Sequence, residues 1–292
     1  MTSSAKASST KAPSVKAGNV ISSLTVLKGF IDSIPADATL YLDLEGKSLS
    51  RNGTLTIITI LVHPTKVTRL IDVQTLGSAA FTTPGTNGKT IKTILEDPQI
   101  SKCLWDVRND ADALWAHYKV RLAGVTDIQL LENASRITDR TYVRGLETCV
   151  ENDLKLGFAE LHRWTLTKRT GKSCIVGDIF SVRPLDTLAK EYCVNDVVHL
   201  PALQVTYTKR MNSQWMKRAM DESARRVDEA CSPEYKPQSE KKKLRPWGPG
   251  SGIKELTMDD WLEKFDDDRI NSMENDMFCD SDYDDLKGVW EN

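Results

Sequence analysis

Residues Thr39-Leu40-Tyr41-Leu42-Asp43-Leu44-Glu45, closed by Gly46, decide how this 292-residue chain is read. Short apolar and larger side chains alternate along them, which predicts a buried strand. Positions i and i+2 of a strand share a face, so Asp43 and Glu45 would project together. An Asp-x-Glu is ordinarily a solvated surface pair in a chain with 41 acidic residues. On an apolar strand, however, two carboxylates carry a desolvation cost unless cations meet them. Working outward, Thr54–Val62 and Val67–Val73 read as further strands forming a meander with the first. Ile91–Leu95, Asn109–Tyr118 and Leu146–Leu154 read as helical, as does Leu185 to about Met211 in one or two helices. Mixed strands with helices on both faces predict an α/β layered domain.

Tyr192 and Asp196 stand four residues apart in the last helical stretch, and i, i+4 positions stack on one helix face. Between the two acidic pairs lies Trp105-Asp106-Val107-Arg108-Asn109-Asp110. Its acids, with Asp112, either decorate a helix start, where the dipole favours them, or contribute a further ligand. Asp43, Glu45, Asp110 and Asp196 with the Tyr192 phenol could hold two divalent cations on a phosphodiester. Hard cations such as Mg²⁺ and Mn²⁺ prefer carboxylate and water oxygens. A metal pair about 3.5–4 Å apart stabilises both the attacking and the leaving oxygen of an in-line displacement.

The ordered set resembles the DEDD family of 3′–5′ exonucleases with a ribonuclease H-like fold, and within it the tyrosine-type ribonuclease D and egalitarian-like branch. The first motif matches at Leu42 to Gly46, the second at Lys102 to Leu114, and the third at Tyr192-Cys193-Val194-Asn195-Asp196, preceded by Arg183-Pro184-Leu185. Leu70-Ile71-Asp72-Val73 and Val125 to Gln129 are similar to intermediate landmarks of the family, and the likeness spans roughly residues 20–215. Branch members often carry histidine where this chain has Trp105, which reads here as a packing residue.

The resemblance implies a ribonuclease H-like mixed sheet flanked by helices, and a metal-dependent hydrolase releasing 5′-mononucleotides from a single-stranded 3′ end, RNA favoured over DNA. It implies that Asp43 bridges two cations, Mg²⁺ or Mn²⁺, that Glu45 and Asp196 complete the site holding the nucleophilic water, and that Asp110 serves the cation near the leaving oxygen. Tyr192, with an ordinary phenol pKa near ~10, would orient the water by hydrogen bonding. Leu44, Gly46, Arg108, Lys168, Arg169 and Arg183 are the expected nucleic-acid contacts. Those in Leu161–Lys172 are basic residues beside Trp164, which would touch phosphates or stack a base, or form a surface helix with one buried face. An alternative is a nucleic-acid-binding adaptor on the same fold with vestigial catalysis; the complete set of five residues weighs against it.

Composition bounds the rest. Hydrophobic residues make up 40% of the chain, enough for a sizeable core. No apolar run approaches the ~20 residues of a membrane span. Six cysteines without C-x-x-C spacing, and no secretory leader, predict reduced thiols inside a cell, in nucleus or cytoplasm rather than mitochondria. Residues 255–292 hold 14 acidic and 3 basic residues, leaving 36 basic and 27 acidic in 1–254. A mildly basic body suits a polyanionic substrate. The chain divides into a disordered tail at 1–18, a domain at 19–220, a helix end with a Pro/Gly/Lys-rich linker at 221–254, and a disordered acidic tail at 255–292. Within the linker, Lys241-Lys242-Lys243-Leu244-Arg245 reads as solvated charge, a phosphate patch or a nuclear-import signal. In the tail, Met258, Trp261, Leu262 and Phe265 form one helical stripe that would dock on the core, on a protein partner, or compete with nucleic acid for the body.

Overall fold

The computed structural model describes residues 20–175 and 178–247. The tail at 1–18 and the acidic segment 255–292, with its helical stripe, lie outside the described residues. In chain order the elements begin with β1 (Val20–Ile21), α1 (Leu24–Asp32), β2 (Thr39–Glu45), β3 (Ile57–His63) and β4 (Val67–Asp72). Two single-turn helices, α2 (Val73–Leu76) and α3 (Ala79–Thr82), lead to α4 (Ile91–Glu96), β5 (Ser101–Leu104), α5 (Arg108–Tyr118) and β6 (Val125–Asp127). Five helices follow: α6 (Ile128–Ser135), α7 (Leu146–Asp153), α8 (Phe158–Ile175), α9 (Thr187–Val197) and α10 (Leu200–Thr208), before the long α11 (Ser213–Cys231).

The six strands form one mixed sheet in the order β1-β4-β3-β2-β5-β6. β2, β3 and β4 make the expected antiparallel meander, and β5 joins β2 in parallel. β2 is therefore central, and its period of two divides the core. Leu40, Leu42 and Leu44 pack with the residues of α1, α5 and α11 on one face. Tyr41 packs with α6, α7 and α10 on the other. The carboxylates of Asp43 and Glu45 share the Tyr41 face, over which α9 crosses β2 and β3. No helix among the described residues is long and apolar enough to cross a membrane.

α11 runs through the expected boundary at 220 as one helix. Trp215, Ala219, Glu222, Ser223, Arg226, Val227 and Ala230 line its buried face at helical spacing, and it packs on α5, α6 and β6. The expected linker also differs from expectation as far as Trp247. Leu244 bridges Tyr142, and the Trp247 indole donates to Asn133 Oδ1 at 2.6 Å while standing edge-on to Trp215. Tyr235 and Trp247 are buried. Two aromatic anchors outweigh the loop-forming tendency of the prolines around them, so residues 232–247 form a strap on the domain.

The turn into α9 is fixed by Arg183. Its guanidinium grips Asp72 at the end of β4 through two bonds, Nε to Oδ2 at 2.7 Å and an Nη to Oδ1 at 2.6 Å. Asp72 also accepts from Thr75 N and Oγ1. Burial pushes the Asp72 carboxyl up, but the Arg183 and Thr75 hydrogen bonds outweigh it and hold it below its ordinary value. That stabilisation is present above the unfolded pKa near ~3.9 and is lost as pH falls through the lower folded one. Arg183→Met should cost about 3 kcal/mol at neutral pH, the low end for a broken buried pair because Arg183 is partly exposed. Urea denaturation should show this deficit at pH 7 and a progressively smaller one as pH falls below ~3.9; an equal deficit throughout would remove the pair from the account.

Candidate active site

Three elements converge. The end of β2 brings Asp43 and Glu45, and α9 brings Asp196 across the sheet. One carboxylate oxygen from each lies within 4.8 Å of the others. Asp110, in the first turn of α5, is buried, and the charge of Asp43 reaches it. Tyr192 sits one turn before Asp196 on α9, its ring packed against Phe180 at 5.8 Å between centroids. All five residues expected from the sequence are thus in one region, with Asp110 outside the tightest triad.

The charges repel. Burial first, and then the Asp196 charge, pushes Asp43 up to about 7, although Lys168 opposes the shift. Burial followed by the Asp43 charge raises Glu45 and Asp110 well above the ordinary carboxylate range. Burial also raises the Tyr192 phenol, with the Asp196 charge adding to it, so it stays protonated at neutral pH. Asp43 and Glu45 are nevertheless partly open to solvent. A partly open cluster of oxygen donors with negative charge in excess is what a hard divalent cation requires.

Lys168 is the cation already present. It is buried, pairs with Asp196, and donates from Nζ to the Tyr192 hydroxyl at 3.1 Å, lying 4.4 Å from the ring centroid. Burial alone would depress its pKa, but Asp196 and then Tyr192 hold it above the ordinary lysine value. The expected phosphate contact is therefore an internal counter-ion of the site. Gly171, one turn further along α8, also acts here: a Cβ would overlap the Tyr192 ring. Neither residue stands in a motif; only the crossing of α8 and α9 reveals them.

The structure places the other expected contacts as follows. The Leu44 side chain faces the core. Arg108 is buried, pairing with Asp106 at 2.5 Å and donating to the Lys242 carbonyl at 2.9 Å, and Arg183 is committed to Asp72. Gly46 is required by close packing, because a Cβ would run into the Thr54 carbonyl. Arg169 is exposed, 3.9 Å from Glu147. Asp112 pairs with Arg51 at 2.6 Å, so the neighbours of Asp110 are neutralised while Asp110 is not. Trp105 packs against the second core cluster, as expected.

A profile of the 3′–5′ exonuclease family matches residues 19–212. The chain belongs to the DEDD 3′–5′ exonucleases, enzymes of the ribonuclease H-like superfamily. No curated protein sequence matches it. Among solved structures, it is similar to Trypanosoma brucei RNase D in complex with RNA U12, at 20% identity and a TM-score of 0.61, over 84% of this chain and 78% of that one. The GMP complex of the same protein matches at 19% identity and a TM-score of 0.60, over 74% of this chain and 64% of that one. The catalytic core of RRP6 from T. brucei matches at 15% and 0.54, over 71% and 51%. These likenesses show the fold, and the chain spans under two thirds of the length of two of these three. Members of the exonuclease family use divalent metals, and the Asp43, Glu45 and Asp196 donor set fits them.

Lys168→Gln should cost the metal-free protein about 3 kcal/mol, because it strands the buried Asp196 charge; an unchanged denaturation midpoint would show that the pair contributes nothing. Gly171→Ala should displace the Tyr192 ring and lower turnover on the order of 10²-fold, the effect of roughly 1 Å of misplacement. Full activity of that variant would mean the Tyr192 position is not critical.

Proposed function

We propose that the protein removes nucleotides one at a time from the 3′ end of a single-stranded nucleic acid, RNA in preference to DNA, and releases 5′-mononucleotides. The observation that carries this reading is the convergence of Asp43, Glu45 and Asp196 oxygens within 4.8 Å, beside a protonated Tyr192 and a buried, unneutralised Asp110. The preference for RNA is supported by the likeness in fold to RNase D, one of whose structures holds RNA U12.

Asp43, Glu45, Asp110 and Asp196 would hold two cations, Mg²⁺ or Mn²⁺. Bound there, they would lower the pKa of the attacking water and stabilise the leaving oxygen's charge. The chain's own groups supply the rest. Lys168 donates to Tyr192 Oη and pairs with Asp196, which fixes the phenol and leaves its proton for an acceptor in the site. Tyr192 then orients the water for in-line attack on phosphorus. The bond to the preceding 3′ oxygen breaks, that oxygen leaves as the shortened strand's new 3′-hydroxyl, and the phosphate stays on the released nucleotide. Burial, with the Asp196 charge at Asp43 and the Asp43 charge at Glu45, raises both carboxyls, and positive charge held there would favour their ionised forms.

Labelled single-stranded RNA and DNA, incubated with Mg²⁺, Mn²⁺ or EDTA, should give a metal-dependent ladder shortening from the 3′ end. Asp43→Asn should abolish it. Because it also relieves repulsion, the same change should raise the metal-free Tm by about 2–4 °C, equivalent to ~1 kcal/mol in a domain of this size. Added metal should stabilise the unmodified chain more than the variant. Retained turnover in Asp43→Asn would sink the reading.

A further inference from the structure

A second feature of the domain lies beyond the carboxylate centre. Between α11 and the strap is a cavity of about 530 Å³, the size of a small-ligand site. Seven of its lining residues are Lys or Arg and three are Glu. Several of these charges are already neutralised. Arg225 bonds Glu222 and Glu229, Arg226 bonds Asp127 at 2.7 Å, and Arg108 bonds Asp106. Lys236 and Lys241 are exposed and form no ion pair among the described residues. Lys242 meets only neutral oxygens, Asn109 Oδ1 at 2.6 Å and the Pro237 carbonyl at 3.2 Å. The surplus is therefore positive and concentrated in the strap.

The cavity is also built, and it is next to the centre. The Leu244–Tyr142 bridge and buried Trp247 hold one end of the strap, and buried Tyr235, donating to Asn109 Oδ1 at 2.7 Å, holds the other. Asn109 directly precedes Asp110, Arg108 lines the cavity, and Lys242 feels the Asp110 charge. The positive strap thus meets α5 at the residue beside Asp110. A preformed basic channel tracks a phosphate backbone without reading its bases.

We propose that this cavity takes the phosphodiester backbone of the strand on the 5′ side of the scissile bond, so that the strap lysines hold the substrate that the carboxylate centre shortens. The inference rests on the exonuclease reading. It extends that reading from the reacting phosphate to the bound strand.

The test uses the full chain with Lys236→Gln and Lys241→Gln together, both outside the catalytic centre. Equilibrium binding of a 12-nucleotide single strand is measured in EDTA against salt concentration. Each lost phosphate contact lowers the slope of log K against log salt by about 0.7, so the double variant should lose about 1.4. The Lys236→Arg/Lys241→Arg pair should keep the slope. A control pair on the far side, Lys28→Gln/Lys89→Gln, should change it little. With metal, KM should rise for the 12-mer while kcat, and hydrolysis of a dinucleotide too short to reach the cavity, stay unchanged. An unchanged slope overturns the proposal. So does a slope change matched by the control pair, which would assign the effect to net charge. Weakened binding of a free 5′-mononucleotide with an unchanged strand slope also overturns it, assigning the cavity to the free nucleotide. Failure of the unmodified chain to hydrolyse the dinucleotide under any metal condition would count against the exonuclease reading alone, because the slope is measured without catalysis.

Discussion

The buried Asp127 carboxylate is the constraint on which the arrangement depends. It accepts from the backbone N–H groups of Asp106 and Val107, at 3.0 and 3.1 Å, and from Gln129 N at 3.1 Å. It thereby holds the β5–α5 turn, in which Asp106 takes a left-handed φ of 60°, and caps α6. Arg226 meets its remaining charge and also donates to Gln129 Oε1 at 3.0 Å. A broken buried pair of this kind costs about 3–5 kcal/mol. One carboxylate therefore fixes where α5 begins, and with it Asp110, while drawing α11 across the sheet edge.

That scaffold has to bear an unfavourable cluster. Asp43, Glu45, Asp110 and Asp196 all lose hydration, the first three also face like charge, and Lys168 is the cation paired with Asp196. The contrast with nearby acids is informative. Asp72, Asp106, Asp112 and Asp127 each have an arginine. Acids that build the fold are neutralised by the chain, whereas those at the centre are left short of positive charge. Structural carboxylates and those of the centre are separated here by their partners rather than by their burial.

How far the sequence reveals this depends on the range of each interaction. β2 and its two carboxylates follow from period-two alternation, and the pairing of Tyr192 with Asp196 follows from one helical turn. Asp110 was separable from Asp106 and Asp112 only by resemblance, because arginines 51 and 108 mark the structural acids only after folding. Lys168 looked like a surface phosphate contact because its partners are 24 and 28 positions away on another helix. The strap looked like a linker because proline and glycine describe backbone preference, whereas Tyr235 and Trp247 are held by residues more than 100 positions distant.

An acidic centre that acts on a polyanion faces a conflict of sign. Carboxylates that attract cations also repel every phosphate of an approaching strand, and the attraction from bound metals is local to the reacting group. Charge that holds the rest of the strand must come from elsewhere, close enough to guide it and far enough not to neutralise the metal ligands. The strap meets both conditions. Lys242 reaches the domain through Asn109, one residue from Asp110, and bonds only neutral oxygens, so no carboxylate of the centre is paired with it. On the proposed reading, separating the negative centre from the positive strap lets one domain bind cations and a polyanion side by side.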